Sequence, residues 1–412
     1  MHMQRDPKRK GPLAGLRVVE IAHVMAGPVG GLLLADMGAD VVKVERLPGG
    51  DDTRRTTPPS IEGESASFMI LNRNKRGIAV DLKSTAGLDL VRRMIDQADV
   101  VLENYRPGTM EKLGLPYSKL RETNPGLVYC KITGFGLTGP YAQRAGYDLI
   151  SQGMSGLMGL TGEGPGRPPV KIGVPIGDVS AGILAATGIL AAYIERLRTG
   201  EGQYVDTSLL EASLVHTYWP VALTLATGES AGPMGSAHPV AAPYQAFPTR
   251  DGWLNIGAIS QATWTGTAKV LGLEWMIDDP RFATNGARMS NRAELVEKMS
   301  QVLRTRSTDD WSAAFERVGV PAGPVRNMKQ VLDDPQTRAR DMVISVDHPV
   351  AGEIEALGLP IKFSRGSGVT RRGAPVYGQH TAAVMCELGY SQQEIERMAA
   401  AGIVHTAAEV AA

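Results

Sequence analysis

The chain has 412 residues, in which 43 lysines and arginines balance 43 aspartates and glutamates. This length allows one large or two ordinary domains, and zero net charge argues against a nucleic-acid-binding surface, which would be basic. Two cysteines, Cys130 and Cys386, are too few for a disulfide framework or a thiolate metal site. Glycines or charges interrupt the apolar stretches, so we expect no signal peptide, no membrane-spanning segment and a cytoplasmic location.

Strand-like and helix-like segments alternate over the first 220 residues. Strands are predicted over 16–22, 41–45, 100–102 and 127–132, and helices over 27–37 and 84–97. Strands that alternate with helices indicate a parallel sheet of the doubly wound type. The sequence therefore predicts an α/β fold for this part of the chain.

The character of the sequence changes at 227–242, where glycine, proline, serine and alanine predict a linker. Two apolar runs, 244–249 and 253–256, then flank Asp251 and Gly252, a pair typical of a β-hairpin turn. Helical spacing follows over 262–271, 292–305 and 309–318. A strand-rich section over 343–362, with Ala351 and Gly352 at its turn, and a helix over 391–401 complete the chain.

Asp178 is the most informative single residue, because its carboxylate stands alone in the apolar run 174–182 (VPIGDVSAG). A strand-like stretch over 170–176 precedes it, and a helical stretch over 179–197 follows. An aspartate in this position makes a good helix N-cap. It is also a buried carboxylate at the positive end of a helix, with glycines that leave room for a ligand. Both interpretations remain open on local grounds.

The opening strand–turn–helix–strand unit imitates a dinucleotide-binding fold, but its spacing is not G-x-G-x-x-G and Pro28 removes a backbone donor. A nicotinamide cofactor is therefore not predicted. The helix start at 26–31, with Arg46 nearby, can still bind an anion. Polar loops at 71–76 (LNRNKR) and 103–108 (ENYRPG) are also predicted near strand ends. Together the three loops favour a nucleotide-like, phosphate-bearing ligand.

Several other polar residues were weighed for chemistry. Asp148 precedes a glycine-rich stretch and can raise the pKa of Asp178 if the two carboxylates meet. His23 fits either a core histidine or a site residue, and His380 is predicted to cap a helix. The seven histidines are scattered without metal-ligand spacing, so no metal site is predicted. No G-x-S-x-G elbow occurs, which argues against a serine hydrolase.

The ordered set of motifs resembles the class III CoA-transferases, the family of formyl-CoA transferase and carnitine CoA-transferase. The resemblance covers about residues 11–404. Its carriers are 23–28 (HVMAGP), 38–46 (GADVVKVER), 71–75 (LNRNK), 103–108 (ENYRPG), 146–148 (GYD), 176–178 (IGD), 199–203 (TGEGQ) and 377–381 (YGQHT).

The resemblance implies a Rossmann-like large domain built from residues 11–225 and 336–412, a smaller central α+β domain over 226–335, and an interlocked homodimer of ring-shaped subunits. It implies that Asp178 is the catalytic nucleophile, that coenzyme A is a cosubstrate and that no cofactor is bound permanently. The implied partners are an acyl-CoA donor and a carboxylic acid acceptor. The implied CoA-binding residues are His23, Val24, Met25, Ala26, Arg46, Leu71, Asn72, Arg73, Asn74, Lys75, Asn104, Tyr105, Arg106 and Lys112.

The residue types suit this chemistry, because a carboxylate can attack an acyl thioester to give an aspartyl anhydride and then an aspartyl-CoA thioester. Backbone N–H groups near Asp178 or Ala26 can stabilise the oxyanions. Tyr147, Asp148 and Gly257 are substrate-pocket candidates. Five basic residues are candidates for binding a distal carboxylate: Arg54, Arg55, Arg73, Arg144 and Lys171.

The chain departs from formyl-CoA transferase at two places. That enzyme has a glutamine at the position of Met25, and a run of glycines where this chain has only Gly257 within 255–261 (NIGAISQ). The resemblance is closer to members that move CoA between succinyl-CoA and other dicarboxylic or hydroxy acids. An acyl-CoA racemase of the same fold is one alternative. However, the histidine base of that group is replaced by Tyr147, a poor base at neutral pH. A non-catalytic CoA-binding protein is the other.

Overall fold

The computed structural model describes residues 11–366 and 372–407. The strands within these residues are β1 Arg17–Ile21, β2 Asp40–Arg46, β3 Ser60–Ile61, β4 Glu64–Ser65, β5 Arg76–Val80, β6 Val100–Glu103, β7 Val128–Thr133, β8 Tyr204–Ser208, β9 Tyr244–Pro248, β10 Trp253–Gly257, β11 Ala322–Pro324, β12 Val343–His348, β13 Gly352–Leu357 and β14 Val404–His405.

The α-helices in the same residues are α1 Ala26–Asp36, α2 Ala66–Asn72, α3 Thr85–Asp96, α4 Thr109–Lys112, α5 Tyr117–Thr123, α6 Asp148–Met154, α7 Leu157–Leu160, α8 Ile176–Thr199, α9 Leu209–Leu214, α10 Tyr218–Thr227, α11 Gln261–Leu271, α12 Trp275–Asp278, α13 Asn285–Ser290, α14 Arg292–Leu303, α15 Thr308–Glu316, α16 Met328–Asp333, α17 Pro335–Ala339, α18 Thr381–Glu387 and α19 Gln392–Ala400.

The chain divides into two compact units. The first comprises the described residues up to Leu157, Lys171–Ala222 and those from Pro335 onward, and the second comprises Met158–Val170 and Leu223–Asp334. The second unit therefore includes Met158–Val170, which the sequence predicts to lie in the large domain. The segment is held there by a backbone hydrogen bond of 2.7 Å from Gly235 N–H to Gly162 O.

A seven-stranded sheet forms the centre of the first unit, in the order β14-β5-β2-β1-β6-β7-β8. Neighbouring strands from β5 to β8 run parallel, and β14 pairs antiparallel with β5 at one edge. Strands β5, β6 and β7 are buried along their whole length. Burial on both faces explains why β6 reads as an apolar run rather than an alternating one. The α/β prediction is confirmed as a mixed fold with a largely parallel central sheet.

The strand order reverses between β1 and β6. The chain adds β2 on one side of β1 and later adds β6 on its other side. In open α/β sheets, ligands bind outside the carboxyl ends of the strands at such a reversal. A ligand site is therefore expected beyond the carboxyl ends of β1 and β6.

Helix α8 packs against α1 on one face of the sheet. The two backbones approach so closely that a Cβ atom on Gly182 would lie 2.6 Å from the carbonyl oxygen of Ala26. Of the helices within the described ranges, α8 alone is long and apolar enough to cross a bilayer by length and composition. The same properties are found in helices that line a protein core, and eight side chains of α8 are buried.

The second unit contains a three-stranded antiparallel sheet in the order β11-β10-β9. Strands β9 and β10 form the predicted hairpin, with Trp253 opposite Pro248 beside the turn. The fully buried side chains of Phe247, Trp264 and Trp311 belong to one hydrophobic core with residues of α11, α14 and α15. The predicted helices in this region are confirmed with small differences at their ends.

The structure corrects one prediction close to Asp178. Residues 170–175 form no strand, and helix α8 begins at Ile176, three residues earlier than the predicted start. The β-branched residues of 170–176 resemble a strand by composition, but Gly173 and Pro175 interrupt pairing there. Strands β5 and β8 were not predicted, because each adjoins a polar turn in the sequence.

Candidate active site

A cavity of about 180 Å³ opens at the carboxyl ends of four neighbouring strands, β1, β6, β7 and β8. This is the edge of the sheet at which its strand order reverses. The residues that line the cavity are His23, Val24, Met25, Ala26, Asn104, Tyr105, Arg106, Pro107, Ile132, Thr133, Gly134, Arg144, Ala145, Gly146, Tyr147, Asp178 and Leu209. The cavity therefore contains nine of the predicted site residues from positions far apart in the chain, together with the distal-carboxylate candidate Arg144.

The loops after β1 and β6 are joined by a reciprocal pair of hydrogen bonds. His23 N–H donates to Asn104 Oδ1 at 3.0 Å, and Asn104 Nδ2 donates to His23 O at 2.9 Å. The ring of Tyr105 lies 5.3 Å from that of His23 between centroids. Burial lowers the pKa of His23 and raises that of Tyr105, so both rings are neutral near pH 7.

The turn between β1 and α1 is held by a buried carboxylate. Val24 adopts a φ of +65°, which is strained for a β-branched residue. Its N–H donates to both oxygens of Asp51, at 3.1 and 3.3 Å. Asp51 in turn contacts the fully buried ammonium of Lys43 at 2.8 Å. Burial would raise the pKa of Asp51, but Lys43 outweighs burial and holds it well below its usual range. An anionic acceptor thus maintains the strained turn.

Helix α1 begins without a side-chain cap. Its N-cap residue is Met25, and no side chain accepts a hydrogen bond from the first turn. In the described part of the chain, the N–H groups of Met25, Ala26 and Gly27 have no acceptor. Unsatisfied donors at a helix start carry partial positive charge. Met25 and Ala26 line the cavity, so their N–H groups can stabilise an anion there.

Asp178 lies in the first turn of α8 and lines the same cavity. The N-cap interpretation of Asp178 is wrong, because the N-cap residue is Pro175 and no side chain caps the helix. Within residues 11–366 and 372–407, no donor or cation contacts the Asp178 carboxylate. Burial, and after it the charge of Asp148, raises its pKa from 3.8 to about 6. The side chain is therefore a carboxylate held in an unfavourable environment.

Asp148 lies beside the cavity and is not one of the residues that line it. Its carboxylate accepts hydrogen bonds from Gly177 N–H at 2.8 Å and from Gln152 Nε2 at 2.7 Å. These contacts join α6 to the residue before Asp178. Tyr147, by contrast, lines the cavity and is 71% exposed. The predicted influence of Asp148 on the pKa of Asp178 is present in the structure.

The remaining predicted CoA-binding residues lie outside this cavity. Arg46 is exposed and pairs with Asp52 beside a smaller depression that His23 and Tyr105 also line. The Arg73 and Asn74 side chains bond to Asp36, and Lys75 bonds to Glu20, Asn72 and the Pro28 carbonyl oxygen. Leu71 and Asn72 are buried as well. The polar side chains of 72–75 thus bond within the protein, although Arg73 Nε has no acceptor among the described residues. Contact of 71–75 with CoA stays a prediction.

Two other predicted residues also lie elsewhere. Lys112 ends the short helix α4 on the surface. Gly257 ends strand β10 in the second unit and is not among the residues that line the cavity. Sequence reasoning did not predict seven lining residues, Pro107, Ile132, Thr133, Gly134, Ala145, Gly146 and Leu209. Most of them end or follow strands, so the expected sheet edge was the signal that could have located them.

Comparisons with known proteins show the family to which this chain belongs. A family model described as CoA-transferase family III matches residues 13–381. The chain is 42% identical over 399 residues to the succinate–glutarate CoA-transferase of Agrobacterium fabrum strain C58, covering 95% of this chain and 98% of that protein. It is 37% identical over 402 residues to the human succinyl-CoA:glutarate CoA-transferase, covering 97% and 92%.

Among solved structures, a CaiB/BaiF family protein from Brucella suis superimposes with a TM-score of 0.84 at 43% identity. The match covers 92% of this chain and all of that one. The resemblance that the motifs indicated is thus confirmed over nearly the whole chain, as is the prediction of an enzyme of this class. This chain belongs to CoA-transferase family III.

Proposed function

We propose that this enzyme moves coenzyme A from succinyl-CoA, or another short dicarboxylyl-CoA, to a carboxylic acid through two covalent intermediates on Asp178. The observation that carries the proposal is the Asp178 carboxylate. It has no partner among the described residues and shares a cavity with the uncapped start of α1. The relatives above are named for CoA transfer involving succinate, succinyl-CoA and glutarate, which supports the substrate class.

The first half-reaction begins when an ionised oxygen of Asp178 attacks the thioester carbonyl carbon. The carbon–sulfur bond breaks, which gives a mixed anhydride and the CoA thiolate. The thiolate then attacks the acyl carbon of Asp178, forms an aspartyl-CoA thioester and releases the donor acid as its carboxylate. The free energy of the thioester is retained, because the acyl group passes through an equally activated anhydride and the broken carbon–sulfur bond is formed again.

The second half-reaction repeats these steps with the acceptor. Its carboxylate attacks the carbonyl carbon of the aspartyl-CoA thioester. The CoA thiolate leaves, which gives a second anhydride between Asp178 and the acceptor. The thiolate then attacks the acceptor's carbonyl carbon, which releases the new acyl-CoA and restores the Asp178 carboxylate. Each attack develops an oxyanion, which the N–H groups of Met25 and Ala26 are proposed to stabilise. One such donor typically contributes about 3 kcal/mol.

The environment of Asp178 suits a nucleophile. A pKa of about 6 leaves the carboxylate mostly ionised at neutral pH while making it more basic than an ordinary aspartate. Partial burial also keeps water away from the anhydride, which water would hydrolyse. Asp148 raises the pKa and positions the start of α8 through Gly177.

For the cosubstrate, we assign the thioester end of CoA to the cavity walls formed by His23, Val24, Met25 and Ala26 and by Asn104, Tyr105 and Arg106. The smaller depression beside Arg46 adjoins these residues through His23 and Tyr105. Its arginine suits a phosphate group of CoA. With this assignment, the first unit would be a Rossmann-like domain that binds CoA.

An interlocked homodimer is part of the proposal. Helix α10 buries no side chain within this chain, and Tyr218, Trp219 and Leu225 are 74%, 60% and 82% exposed. So much exposed apolar surface is typical of a protein interface. Sedimentation across a wide dilution series should show a persistent dimer, and a monomer that appears on dilution would contradict interlocking.

The catalytic proposal is tested by incubating the protein with succinyl-CoA and a panel of carboxylic acids, followed by a hydroxylamine quench. We expect new acyl-CoA products and, by mass spectrometry, a hydroxamate on the peptide that contains Asp178. The Asp178→Asn variant, as control, should give neither.

Three results would contradict the proposal. New acyl-CoA without an adduct at Asp178 would remove the covalent mechanism. Exchange of the α-proton with D2O without acyl transfer would indicate the racemase alternative. Binding of CoA with no turnover of any acid in the panel would indicate a binding protein.

A further inference from the structure

One arginine in the cavity wall differs from the other basic residues considered for binding a distal carboxylate. Arg54 pairs with Glu45 at 2.7 Å, Arg55 pairs with Asp52, and Arg73 pairs with Asp36. Lys171 is exposed, donates to Ile172 O at 3.2 Å and does not line the cavity. Arg144 lines the cavity with Asp178, and no carboxylate of residues 11–366 or 372–407 pairs with it.

The guanidinium of Arg144 is supported by an aromatic ring. Its central carbon lies 3.9 Å from the centroid of the Tyr141 ring, whose edge packs against Phe135 at 5.8 Å between centroids. The N–H of Arg144 also donates to Tyr141 O at 2.9 Å, which forms a tight turn between the two. Stacking occupies a face of the guanidinium and leaves its N–H edge available, the geometry in which arginine binds a carboxylate through two hydrogen bonds.

The loop that carries this stack is closed at its base by two glycines in direct contact. A Cβ on Gly134 would lie 2.8 Å from Gly146 Cα, and one on Gly146 would lie 2.7 Å from Gly134 Cα. Gly134 O accepts from Leu210 N–H at 3.1 Å, which attaches the loop to the start of α9. Leu137 N–H donates to Asp206 in β8 at 3.1 Å. The loop is therefore anchored to the sheet edge, and Arg144 has a defined place in the wall.

Arg144 is also separate from the reactive carboxylate. The pKa of Asp178 is raised by burial and by Asp148, and no cation among the described residues offsets this rise. A guanidinium in contact with Asp178 would lower that pKa and occupy the nucleophile. No ion pair joins Arg144 to Asp178 among the described residues, so both charged groups remain available in the one cavity.

We infer that Arg144, supported by Tyr141, binds the second carboxylate of a dicarboxylic substrate while the first carboxyl group reacts at Asp178. Arg144 is thus the residue that selects dicarboxylic over monocarboxylic acids, and Tyr141 is its positioning residue. The inference rests on the proposed function, since it assigns the far end of the acid that the proposed reaction uses.

The test compares two acceptors with the same number of carbons, glutarate and pentanoate, with succinyl-CoA as donor. In a ping-pong reaction, kcat/KM for the acceptor reports only the second half-reaction, so weaker donor binding by a variant does not affect the comparison. The variants are Arg144→Gln and Arg144→Lys, with Lys171→Gln as a control that removes the same charge outside the cavity. Arg144 is exposed, so its replacement should leave folding intact.

We expect Arg144→Gln to lower kcat/KM for glutarate by about 10- to 100-fold, the range for a lost hydrogen-bonded charge pair. Pentanoate should change by less than about threefold, and Arg144→Lys should recover part of the loss. Tyr141→Ala should reduce the preference for glutarate, and Tyr141→Phe should restore it because the ring is retained. The Lys171→Gln control should keep the wild-type ratio.

An unchanged glutarate-to-pentanoate ratio in Arg144→Gln would overturn the inference, as would an equal fall for both acceptors. Retained transfer to pentanoate in the same variant would show that the proposed reaction persists, so these failures belong to the inference alone. A wild-type protein that transfers CoA to neither acid and forms no Asp178 adduct would overturn the proposed function and the inference with it.

Discussion

Replacing Asp178 with asparagine removes a carboxylate that the fold holds at an energetic disadvantage. Burial and Asp148 raise its pKa to about 6 from an ordinary 3.8. At about 1.4 kcal/mol per pH unit, this difference corresponds to about 3 kcal/mol. Water reaches part of the half-buried side chain, so we expect Asp178→Asn to stabilise the protein by about 1–3 kcal/mol at pH 8.

The pH dependence has a defined sign. A carboxyl group with a raised pKa in the folded state binds protons more tightly there than in the unfolded chain, so wild-type stability falls as pH rises from 3.8 through about 6. The advantage of the asparagine variant should therefore be complete above pH 7, about half as large at pH 5 and absent below about pH 4. Urea unfolding at pH 8 and pH 5 measures it, alongside the expected loss of CoA transfer.

The outcome separates a functional carboxylate from a helix cap. An ionised cap would be favoured in the folded state, so asparagine would then be neutral or destabilising at pH 8. Equal or lower stability of Asp178→Asn at pH 8 would thus refute the reasoning. Asp148→Asn is the matched control. We expect it to destabilise the protein, because Asp148 accepts hydrogen bonds from Gly177 and Gln152.

Three further predictions follow from the site and its supports. The value of kcat/KM should fall below about pH 6, because Asp178 must be ionised to attack. The Asp148→Asn variant should move this acidic fall to lower pH, because it removes a charge that raises the pKa of Asp178. An acidic fall near pH 4 in the wild-type protein would contradict both expectations. Asp51→Asn should cost about 2–4 kcal/mol in urea unfolding and reduce kcat, because Lys43 loses a buried partner and Val24 its anionic acceptor. Since the folded pKa of Asp51 is lowered, its contribution is present above pH 3.8 and is lost as pH falls through the folded value. An unchanged urea midpoint would contradict this assignment, and Asp52→Asn, at an exposed ion pair, should be nearly neutral. The Gly182→Ala variant should lose about 1–3 kcal/mol of unfolding free energy, because the added Cβ separates α8 from α1. The Gly286→Ala control should not destabilise the protein, because its Cβ meets open space. Equal melting temperatures for the two variants would refute the close-packing argument.

Local patterns identified much of the first unit. The predicted strands over 41–45 and 127–132 correspond to β2 and β7 with shifts of about a residue at each end. Because the predicted sheet was parallel, its carboxyl edge indicated that residues near His23 and Asn104 would converge. The cavity lies there, and the two residues are hydrogen-bonded to each other.

The same patterns failed where long-range contacts determine the role of a residue. The run 71–75 looks like a solvated loop, yet Lys75 is fully buried and contacts Glu20 at 2.8 Å, 55 positions earlier in the chain. Residues 170–176 look like a strand, yet they form an irregular segment and the first residue of α8. Periodicity reports which residue types alternate, and it carries no information about distant partners.

By itself the sequence determined the alternation of strands and helices, the hairpin of the second unit and the family. These follow from patterns that extend over a few residues or from an ordered set of motifs. Only the tertiary structure decided that Asp178 lies within the first turn of α8 with no partner among the described residues. It also decided that Asp51 and Lys43 hold the turn at Val24, and that Arg144 rather than Arg54 or Arg73 lines the cavity. The physical reason is that a charge is free or neutralised according to distances between residues remote in the chain, and only folding sets these distances.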